Sequence, residues 1–354
     1  MNCELVSSLK KRSDFPVNGL LLIVIIVFSS CTRTVYVPVM QPAPVDVGSH
    51  IQKVAIVDRS VPEITEEKDT ESVLTRVKPE LNRESAQRAI DGLVRTLESS
   101  NRYEVIRTAE RMTTSATRGN WPPPLSWEEI ETLAANYDSD AVLVLESFDY
   151  QFIPTDGATA APVPGMGEIL GRRFMVGGVA GIKLGFRLYD PQYKAIADEF
   201  MFDHKSRWEA EGNAIQMVVG GMIDYRQAVN EAGLQSGIIY AERISPRWLR
   251  LNREFFTKGR GNRDFKTGVR RATVNDWEGA RQAWHESVNS RRRKVAGRSA
   301  FNLALMYEIL GELDVAREWA QYSYTDSGIR KARSYVLELE RQIRGKTIAE
   351  EQLR

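Results

Sequence analysis

Cysteine and histidine are both scarce in this chain. Its 354 residues include two cysteines, Cys3 and Cys31, and three histidines, His50, His204 and His285. The histidines lie in three separate segments. None of them has a second histidine or a cysteine at the spacing of metal ligands, so we expect no metal site. Two cysteines near the amino terminus cannot form a disulfide framework for the rest of the chain, which must be stabilised by packing.

Reactive motifs are missing as well. The sequence has no G-x-S-x-G motif, which would indicate a nucleophilic serine. Glycine groups at residues 165–167 and 177–181 lack the Gly-Lys-Ser/Thr ending of a phosphate loop, and the second group precedes a predicted strand. Glu128 and Glu129 lie in the first turn of a predicted helix, where the helix dipole favours acids. We therefore predict that the protein is not an enzyme and binds no cofactor.

The chain also lacks an excess of charge of one sign. Its formal net charge is +1, and residues 1–30 carry that charge, so the remaining residues are neutral in sum. This balance argues against nucleic acid as a partner. The length is sufficient for two domains, and a content of 42% hydrophobic and 27% charged residues is typical of a globular body.

The first residues have the organisation of an export signal. Residues 10–12 are basic, residues 20–28 form an uninterrupted apolar run, and two serines precede Cys31. The run is much shorter than the roughly 20 residues of a spanning helix. Residues 28–31, FSSC, resemble the lipobox of bacterial lipoproteins. That resemblance implies removal of residues 1–30 as a signal peptide and attachment of lipid to the sulfur of Cys31.

The lipobox resemblance also implies a location. Thr32 follows the cysteine where an aspartate would indicate retention in the inner membrane, so we predict an outer-membrane protein whose body faces the periplasm. Lipid on Cys31 would hold the chain on a membrane without a spanning segment, since two or more acyl chains form a lasting anchor. An ordinary cleaved signal with a chance cysteine, or an uncleaved anchor, is the alternative.

Residues 31–50 are predicted to be a tether between the lipid and the body. Pro38, Pro42 and Pro44 interrupt helical structure and favour extended backbone. A first edge strand at residues 35–39 is an equal alternative.

Residues 51–243 are predicted to form an α/β domain. Short apolar runs indicate three buried strands, at residues 54–57, 103–106 and 141–145. Apolar residues three and four apart indicate three helices, at residues 86–97, 126–137 and 215–223, and Ser126 and Glu129 indicate a capping box at the start of the second. Apolar and polar residues alternate over residues 182–188, which predicts a β-hairpin with a turn at residues 189–192 and a returning strand at residues 195–202. Residues 151–178, rich in glycine and proline, indicate a loop. The order predicts a mixed sheet in a helix-on-sheet sandwich.

Three pieces of this domain carry a resemblance. They are KVAIVDRS at residues 53–60, SDAVLVLESF at residues 139–148 and FRLYDPQYKAIADEF at residues 186–200. They resemble the small α/β domains of periplasmic lipoprotein assembly factors, such as the curli secretion channel lipoprotein and the amino-terminal domain of the Tol–Pal translocation protein. Pro191 and Gln192 replace the Thr-Gly turn that is usual in those families. The resemblance implies topology.

Residues 244–345 are predicted to be helical only, with a tail at residues 346–354. Residues 276–284, DWEGARQAW, resemble the second helix of a tetratricopeptide repeat. A second repeat is indicated by the spacing of Leu303, Ala304, Tyr307, Gly311 and Ala316. In it the small Ala304 and Ala316 would let two helices approach closely, and Gly311 would turn the chain between them. The repeats would occupy residues 262–289 and 296–325, followed by a capping helix at residues 327–344. Two repeats are fewer than the three that independent stability normally requires.

The whole chain resembles a family of uncharacterised Bacteroidota lipoproteins. The matching pieces are KVAIVDRS, YAERISPRWLRLNREFF at residues 240–256 and FNLALMYE at residues 301–308. Those proteins combine such an α/β domain with carboxy-terminal tetratricopeptide-like helices. The resemblance implies an architecture and no activity.

Aromatic residues of the helical region are the candidate partner-binding site. A peptide groove could be lined by Trp248, Phe255, Phe256, Trp277 and Trp284. The predicted partner-binding residues are Trp277, Trp284, Tyr307 and Trp319. Burial in the core is the alternative for large aromatics at helical spacing. The basic run at residues 291–294 is either a solvated loop or a contact with anionic lipid or an acidic partner.

These features favour a lipid-anchored scaffold of the cell envelope whose helical repeats bind another envelope protein or a peptide. The alternative is a component of an outer-membrane secretion or channel assembly, related to the curli secretion lipoprotein, in which residues 151–180 would enter the membrane. Their glycine and proline content disfavours the clean alternation of a membrane strand. A hydrolase acting on cell-wall glycan is a weaker alternative.

Replacement of Cys31 by serine tests the location. The substitution removes the sulfur that would carry the lipid, so we expect Cys31→Ser to carry no acyl chain and no longer to fractionate with membranes. Cell fractionation and the mass of the amino-terminal peptide measure this. A wild-type protein that keeps residues 1–30, together with a serine variant that stays with the membranes, would contradict the prediction.

Overall fold

The computed structural model describes residues 32–62, 79–114, 119–155, 173–213 and 225–354, and the predicted signal and Cys31 lie outside these ranges. The chain divides into two compact units. The sheet unit comprises Met40–Leu249 and Arg344–Arg354. The helical unit comprises Met1–Val39, described from Thr32, and Arg250–Ile343. The residue bounds of the predicted domains stay a prediction.

Seven strands and eight helices are present in the described ranges. In chain order they are β1 (Thr32–Gln41), β2 (Lys53–Pro62), α1 (Pro79–Ser99), β3 (Glu104–Thr114), α2 (Trp127–Tyr137), β4 (Ala141–Thr155), β5 (Arg173–Asp190), β6 (Ala195–Asn213), α3 (Tyr225–Ile244), β7 (Arg247–Phe256), α4 (Arg263–Thr273), α5 (Trp277–Val288), α6 (Arg293–Ile309), α7 (Leu313–Thr325) and α8 (Arg330–Gln352).

The predicted fold class, an α/β domain with a mixed sheet followed by an all-helical region, is confirmed. Five strands form one sheet in the order β3-β2-β4-β5-β6. Strand β2 is parallel to β3 and to β4, whereas β4 and β5, and β5 and β6, are antiparallel. The predicted hairpin is formed by β5 and β6, and its turn lies at residues 191–194, two residues later than predicted.

Strand β4 shows why both faces of the sheet are covered. Ala141, Leu143 and Leu145 belong to the core cluster that contains the buried residues of α1 and α3. Val142 and Val144, which point to the opposite face, pack with α2. Helix α2 begins at the predicted capping box, in which Ser126 and Glu129 bond each other's backbone N–H. An uninterrupted apolar strand is thus buried on both sides.

Helices α1 and α3 cross at glycines. An added Cβ on Gly237 of α3 would lie 1.8 Å from the carbonyl oxygen of Ala89 in α1. One on Gly92 of α1 would lie 2.2 Å from the carbonyl oxygen of Leu234, and one on Gly233 would lie 2.5 Å from Ser85 Oγ. The two backbones therefore approach more closely than any side chain permits.

The helical unit contains the predicted helix pairs, α4 with α5 and α6 with α7, and then α8. Ala304 and Ala316 are fully buried between helices. Gly311 turns the chain between α6 and α7 at φ +79°, a left-handed conformation that favours glycine. The small residues and the turn glycine of the repeat spacing thus have the roles that the sequence predicted.

Strands β1 and β7 are the main differences from the sequence prediction, and they pair in a two-stranded sheet. Strand β7 occupies residues predicted to be helical, and β1 realises the strand alternative for residues predicted to be a tether. The reason is burial, because Val37, Phe255 and Phe256 enter the core of the helical unit. The strands thus supply apolar surface to a unit with only two helix pairs.

Two further differences concern the sheet unit. Residues 151–155 and 173–178 are strand rather than loop, because β4 pairs with β5 and β5 pairs with β6. The rest of the predicted loop, residues 156–172, lies outside the described ranges. Helix α3 was not predicted, and the helix predicted at residues 215–223 lies outside the described residues. The signal in α3 is weak because most of its buried residues are glycine, alanine or serine.

Substitution of Gly237 by alanine tests the crossing of α1 and α3. Alanine has the higher helix propensity, but its methyl group would clash with the Ala89 carbonyl. We expect a net loss of about 1–3 kcal/mol in the free energy of unfolding. Gly345→Ala in α8 is the control, because its Cβ meets only Pro42 at 3.4 Å, and we expect a gain of about 0.5–1 kcal/mol. Equal effects in denaturant unfolding would contradict the proposed close approach.

Candidate partner-binding surface

A cluster of four rings lies on the helical unit. A hydrogen bond joins His285 of α5 to Tyr307 of α6, with Nε2 and Oη 3.2 Å apart. The tautomer of the imidazole decides which of the two residues is the donor. The His285 ring meets the edge of Trp319 in α7 at a centroid distance of 5.2 Å, and Trp319 meets Tyr322 at 6.0 Å. His285, Tyr307 and Trp319 are half-buried and Tyr322 is exposed. We call these four residues the aromatic cluster.

A charged pair adjoins the aromatic cluster. The guanidinium of Arg281 donates to Glu278 with Nε and Oε2 2.8 Å apart, and Arg281 also hydrogen-bonds Tyr307. The cluster therefore combines half-exposed tyrosine, tryptophan and arginine, the residue types that most often dominate binding energy at protein interfaces.

The predicted partner-binding residues are only partly brought together. Tyr307 and Trp319 lie in the aromatic cluster. Trp284 is fully buried and touches Gly268, where an added Cβ would lie 2.4 Å from the indole nitrogen. Trp277 is half-buried and meets the edge of Phe255 at a centroid distance of 6.2 Å. Trp284 therefore belongs to the core of the helical unit and has no exposed surface for a partner.

His285 and Tyr322 are not among the predicted site residues. His285 follows the buried Trp284 on α5 and is itself half-buried. The available signal for Tyr322 was its position three residues after Trp319, which places both on one helix face. Of the other aromatics considered, Phe255 and Phe256 are buried in the helical unit, while Trp248 of the sheet unit is 66% exposed.

The environment of His285 keeps its ring neutral. Burial lowers the pKa of the imidazole below its ordinary value of 6.5, and the positive charge of Arg281 lowers this pKa further. A neutral imidazole has one donor and one acceptor nitrogen, so it can bond the Tyr307 hydroxyl at neutral pH. Charging the ring would place a second cation beside Arg281.

A buried carboxylate organises the interior of the helical unit. Glu308 of α6 has no exposed side-chain surface and binds the guanidinium of Arg253 in β7, with Nη2 and Oε1 3.0 Å apart. Tyr335 and Gln342 of α8 donate to the same carboxylate at 2.5 and 2.6 Å. Both carboxylate oxygens have donors, so these bonds join β7, α6 and α8.

The sheet unit has a comparable buried acid. Glu146 of β4 is fully buried, accepts from the Tyr189 hydroxyl at 2.5 Å and pairs with Arg59 at 2.9 Å. Arg59 and Arg187 also donate to the carbonyls of Pro123 and Pro122. The network therefore fixes the proline-rich loop before α2, which is a structural role.

The sheet unit also has a surface cavity of about 290 Å³. It is lined by Met40, Thr96, Ser99, Ser100, Ile238, Glu242, Ser245, Pro246, Arg247, Trp248 and Leu353. Its helix hydroxyls bond backbone carbonyls, for example Thr96 to Gly92 at 2.8 Å. Arg247 is paired with Glu242 and Gln41. The cavity thus presents no nucleophile next to a base.

Among the described residues, no three histidine, cysteine or acidic side chains are grouped closely enough to hold a metal ion. In the same ranges, no helix combines the length and the apolar composition needed to cross a bilayer.

Two families of unknown function match the sequence. Domain of unknown function DUF8603 matches residues 51–256, which is more than half of the chain. The chain belongs to the DUF8603 family. A second domain of unknown function, DUF6340, matches residues 266–341, the helices that follow β7 in this DUF8603 protein. The matches confirm an uncharacterised family with this two-part organisation, whereas its lipoprotein character stays a prediction. No curated protein matches the sequence.

Several solved structures are similar to parts of the DUF8603 protein. A homologue of the neuraminyllactose-binding hemagglutinin from Helicobacter pylori is 12% identical, with a TM-score of 0.28, over 57% of this chain and 87% of that chain. The PelC dodecamer from Paraburkholderia phytofirmans is 13% identical, with a TM-score of 0.19, over 61% of this chain and 99% of that chain. TM-scores this low support no inference about function.

The titration of His285 tests the geometry of the cluster. We expect an imidazole midpoint below 6.5 by nuclear magnetic resonance, and a rise when Arg281→Gln removes the nearby cation. The folded protein disfavours the charged ring, so the unfolded chain binds a proton at His285 more readily than the folded protein does. The contribution of His285 to the free energy of unfolding is therefore complete above pH 6.5 and falls as the pH drops below that value. Arg270→Gln, on α4, is the control. A midpoint that Arg281→Gln leaves unchanged would contradict the contact.

Proposed function

We propose that this DUF8603 protein is a lipid-anchored, non-catalytic scaffold of the cell envelope that binds another protein or a peptide through its helical unit. The aromatic cluster of His285, Tyr307, Trp319 and Tyr322 is the observation that carries the proposal. Its rings come from α5, α6 and α7, so the packing of two helix pairs fixes them before a partner arrives. A rigid, preorganised surface loses little conformational entropy on binding.

The chemistry of the cluster suits a polypeptide. Trp319 and Tyr322 offer apolar ring surface, while the Tyr307 hydroxyl, the Arg281 guanidinium and the Glu278 carboxylate can bond backbone or charged groups at its border. An apolar centre with a polar border is the usual organisation of a protein interface. The partner would be a protein segment with an aromatic or aliphatic anchor.

Membrane attachment rests on the lipobox-like residues 28–31. The alternative of a secretion or channel component ranks second in our proposal. Strand β6 carries alternate charged residues, but Phe202 and Trp208 of its other face pack against the core beneath α1 and α3. A face that is engaged with a core is not free to contact lipid. Leakage from vesicles treated with the purified protein would favour the alternative.

Site-specific photocrosslinking in cells tests the partner-binding surface. A photoreactive phenylalanine analogue at Tyr322, which is 39% exposed, should form an adduct of discrete mass. Trp319→Ala should weaken binding on the order of 30-fold if Trp319 is a hot-spot residue, and the adduct should then disappear. Circular dichroism would verify that this variant is folded.

The matched control places the same analogue at Leu337, which is 54% exposed on α8 of the same unit. We expect no adduct there, because Leu337 lies outside the aromatic cluster. The absence of an adduct at residue 322, or the same adduct at both residues, would rule out the cluster as the binding surface.

A further inference from the structure

The near-neutral total charge conceals a basic helical unit. Residues 32–39 and 250–343 contain 20 basic and 12 acidic side chains, a net charge of +8, although the whole chain carries +1. The surplus is unevenly distributed within the unit. It is concentrated in three segments that are far apart in sequence, at residues 257–263, 290–298 and 326–330.

These three segments form what we call the basic end. Its nine cations are Lys258, Arg260, Arg263, Arg291, Arg292, Arg293, Lys294, Arg298 and Arg330. The three segments contain one acid, Asp326, while Glu254 and Asp264 adjoin them. Residues 291–294 and Arg330 are all exposed. Such a ratio of nine to one creates a strongly positive surface that favours an anionic partner.

Hydrogen bonds hold the three segments together. The Arg292 guanidinium donates to the carbonyl of Arg260, and that of Arg298 donates to the carbonyl of Lys258, which joins the second segment to the first. Arg293 Nε donates to the Asp326 carbonyl at 2.7 Å, which joins the second segment to the third. The acceptors are neutral carbonyls, so the bonds fix the guanidinium groups without neutralising them.

The backbone adds to the positive potential. Helices α4, α6 and α8 all begin in the basic end, at Arg263, Arg293 and Arg330. The first turn of a helix carries a partial positive charge. Helix α6 has neither a side-chain cap nor an acid in its first turn, so nothing on that helix offsets the charge.

The start of β1 lies beside the basic end. The Thr32 side chain hydrogen-bonds the carboxylate of Glu254, and this carboxylate also accepts from Lys331 in the first turn of α8, with Nζ and Oε2 2.6 Å apart. Lys331 follows Arg330 directly. Cys31 precedes Thr32 by one peptide bond, about 3.8 Å between Cα atoms. A lipid on Cys31 would therefore enter the bilayer next to the basic end.

We propose that the basic end of the helical unit docks on the headgroups of anionic phospholipid. The proposal rests on the lipid anchor at Cys31 for its geometry, because β1 leaves no spacer between the anchor and the unit. The exposed arginine and lysine side chains would be attracted to the phosphate groups of the lipid, and this attraction weakens as the salt concentration rises. The anchor would supply attachment, and the basic end would set the orientation.

The test uses residues 32–354 without lipid, which contain every described element. Sedimentation with vesicles of phosphatidylcholine containing about one-third phosphatidylglycerol measures binding to an anionic surface. We expect binding that rising salt abolishes, and none to pure phosphatidylcholine. Arg291→Gln with Lys294→Gln should weaken binding roughly 25-fold, at about fivefold for each exposed cation removed.

The control variant, Arg250→Gln with Arg341→Gln, removes the same charge from exposed residues of the same unit. Arg341 lies eleven residues along α8 from Arg330, about 16 Å. We expect less than a twofold loss for this variant. Equal losses in the two variants would overturn the proposal, because the total charge rather than the basic end would then be responsible.

Two competitors identify the anion. Inorganic phosphate is compared with chloride at equal ionic strength. If phosphate displaces the chain from vesicles better than chloride does, the basic end recognises free phosphate, and the proposal that it docks on a lipid surface is overturned. Tighter binding of duplex DNA than of vesicles, with the same dependence on Arg291 and Lys294, would overturn it as well. Because this chain carries no lipid, a failure here is distinct from a failure of acylation in the Cys31→Ser experiment.

Discussion

Glu308 sets the arrangement of the helical unit, because a fully buried carboxylate must have its charge neutralised and its oxygens bonded. The donors come from two other elements, with Arg253 on β7 and both Tyr335 and Gln342 on α8. Burial and the neighbouring carboxylate raise the pKa of the Tyr335 hydroxyl well above its ordinary value, so it remains a donor. Removing one partner from such a group costs about 3–5 kcal/mol. The strand and the two helices can therefore adopt only one relative position.

This constraint explains how two helix pairs suffice. In proteins built from repeated helix pairs, each pair buries its apolar face against a neighbouring repeat, and three repeats are normally required. Here β1 and β7 act as the additional neighbour, since Val37, Phe255 and Phe256 enter the same core as Trp284 and Leu303. The strands that bury this surface also bring Thr32 beside Glu254. The residue that follows the predicted lipid attachment site is thus bonded to the surface of β7, next to the first turn of α8.

The sequence predicted those elements whose signal is local. The capping box at Ser126, the alternation in the hairpin and the glycine turn at residue 311 depend on neighbours within a few residues, and the structure has all three. Strand β7 was missed because its burial depends on helices up to 85 residues away, as for Arg253 with Glu338. Sequence spacing also cannot tell a buried aromatic residue from a surface one. Trp284 and Trp319 both lie at helical spacing, but α4 packs against Trp284 and buries it, whereas Trp319 stays at the surface.

The sequence reveals only part of the basic end, because its three segments are brought together by contacts between residues that are far apart in the chain. The run at residues 291–294 is evident in the sequence, but the convergence of Arg260, Arg292 and Asp326 results from tertiary hydrogen bonds. That convergence also separates the two candidate surfaces. Arg293 and Tyr307 both belong to α6 and are 14 residues apart, which corresponds to about 20 Å along the helix. This separation exceeds the Debye length of about 8 Å at physiological salt, so charge at one surface is largely screened from the other. A helical unit that rests on anionic headgroups through its basic end would therefore keep its aromatic cluster clear of the membrane, where a protein partner can reach it.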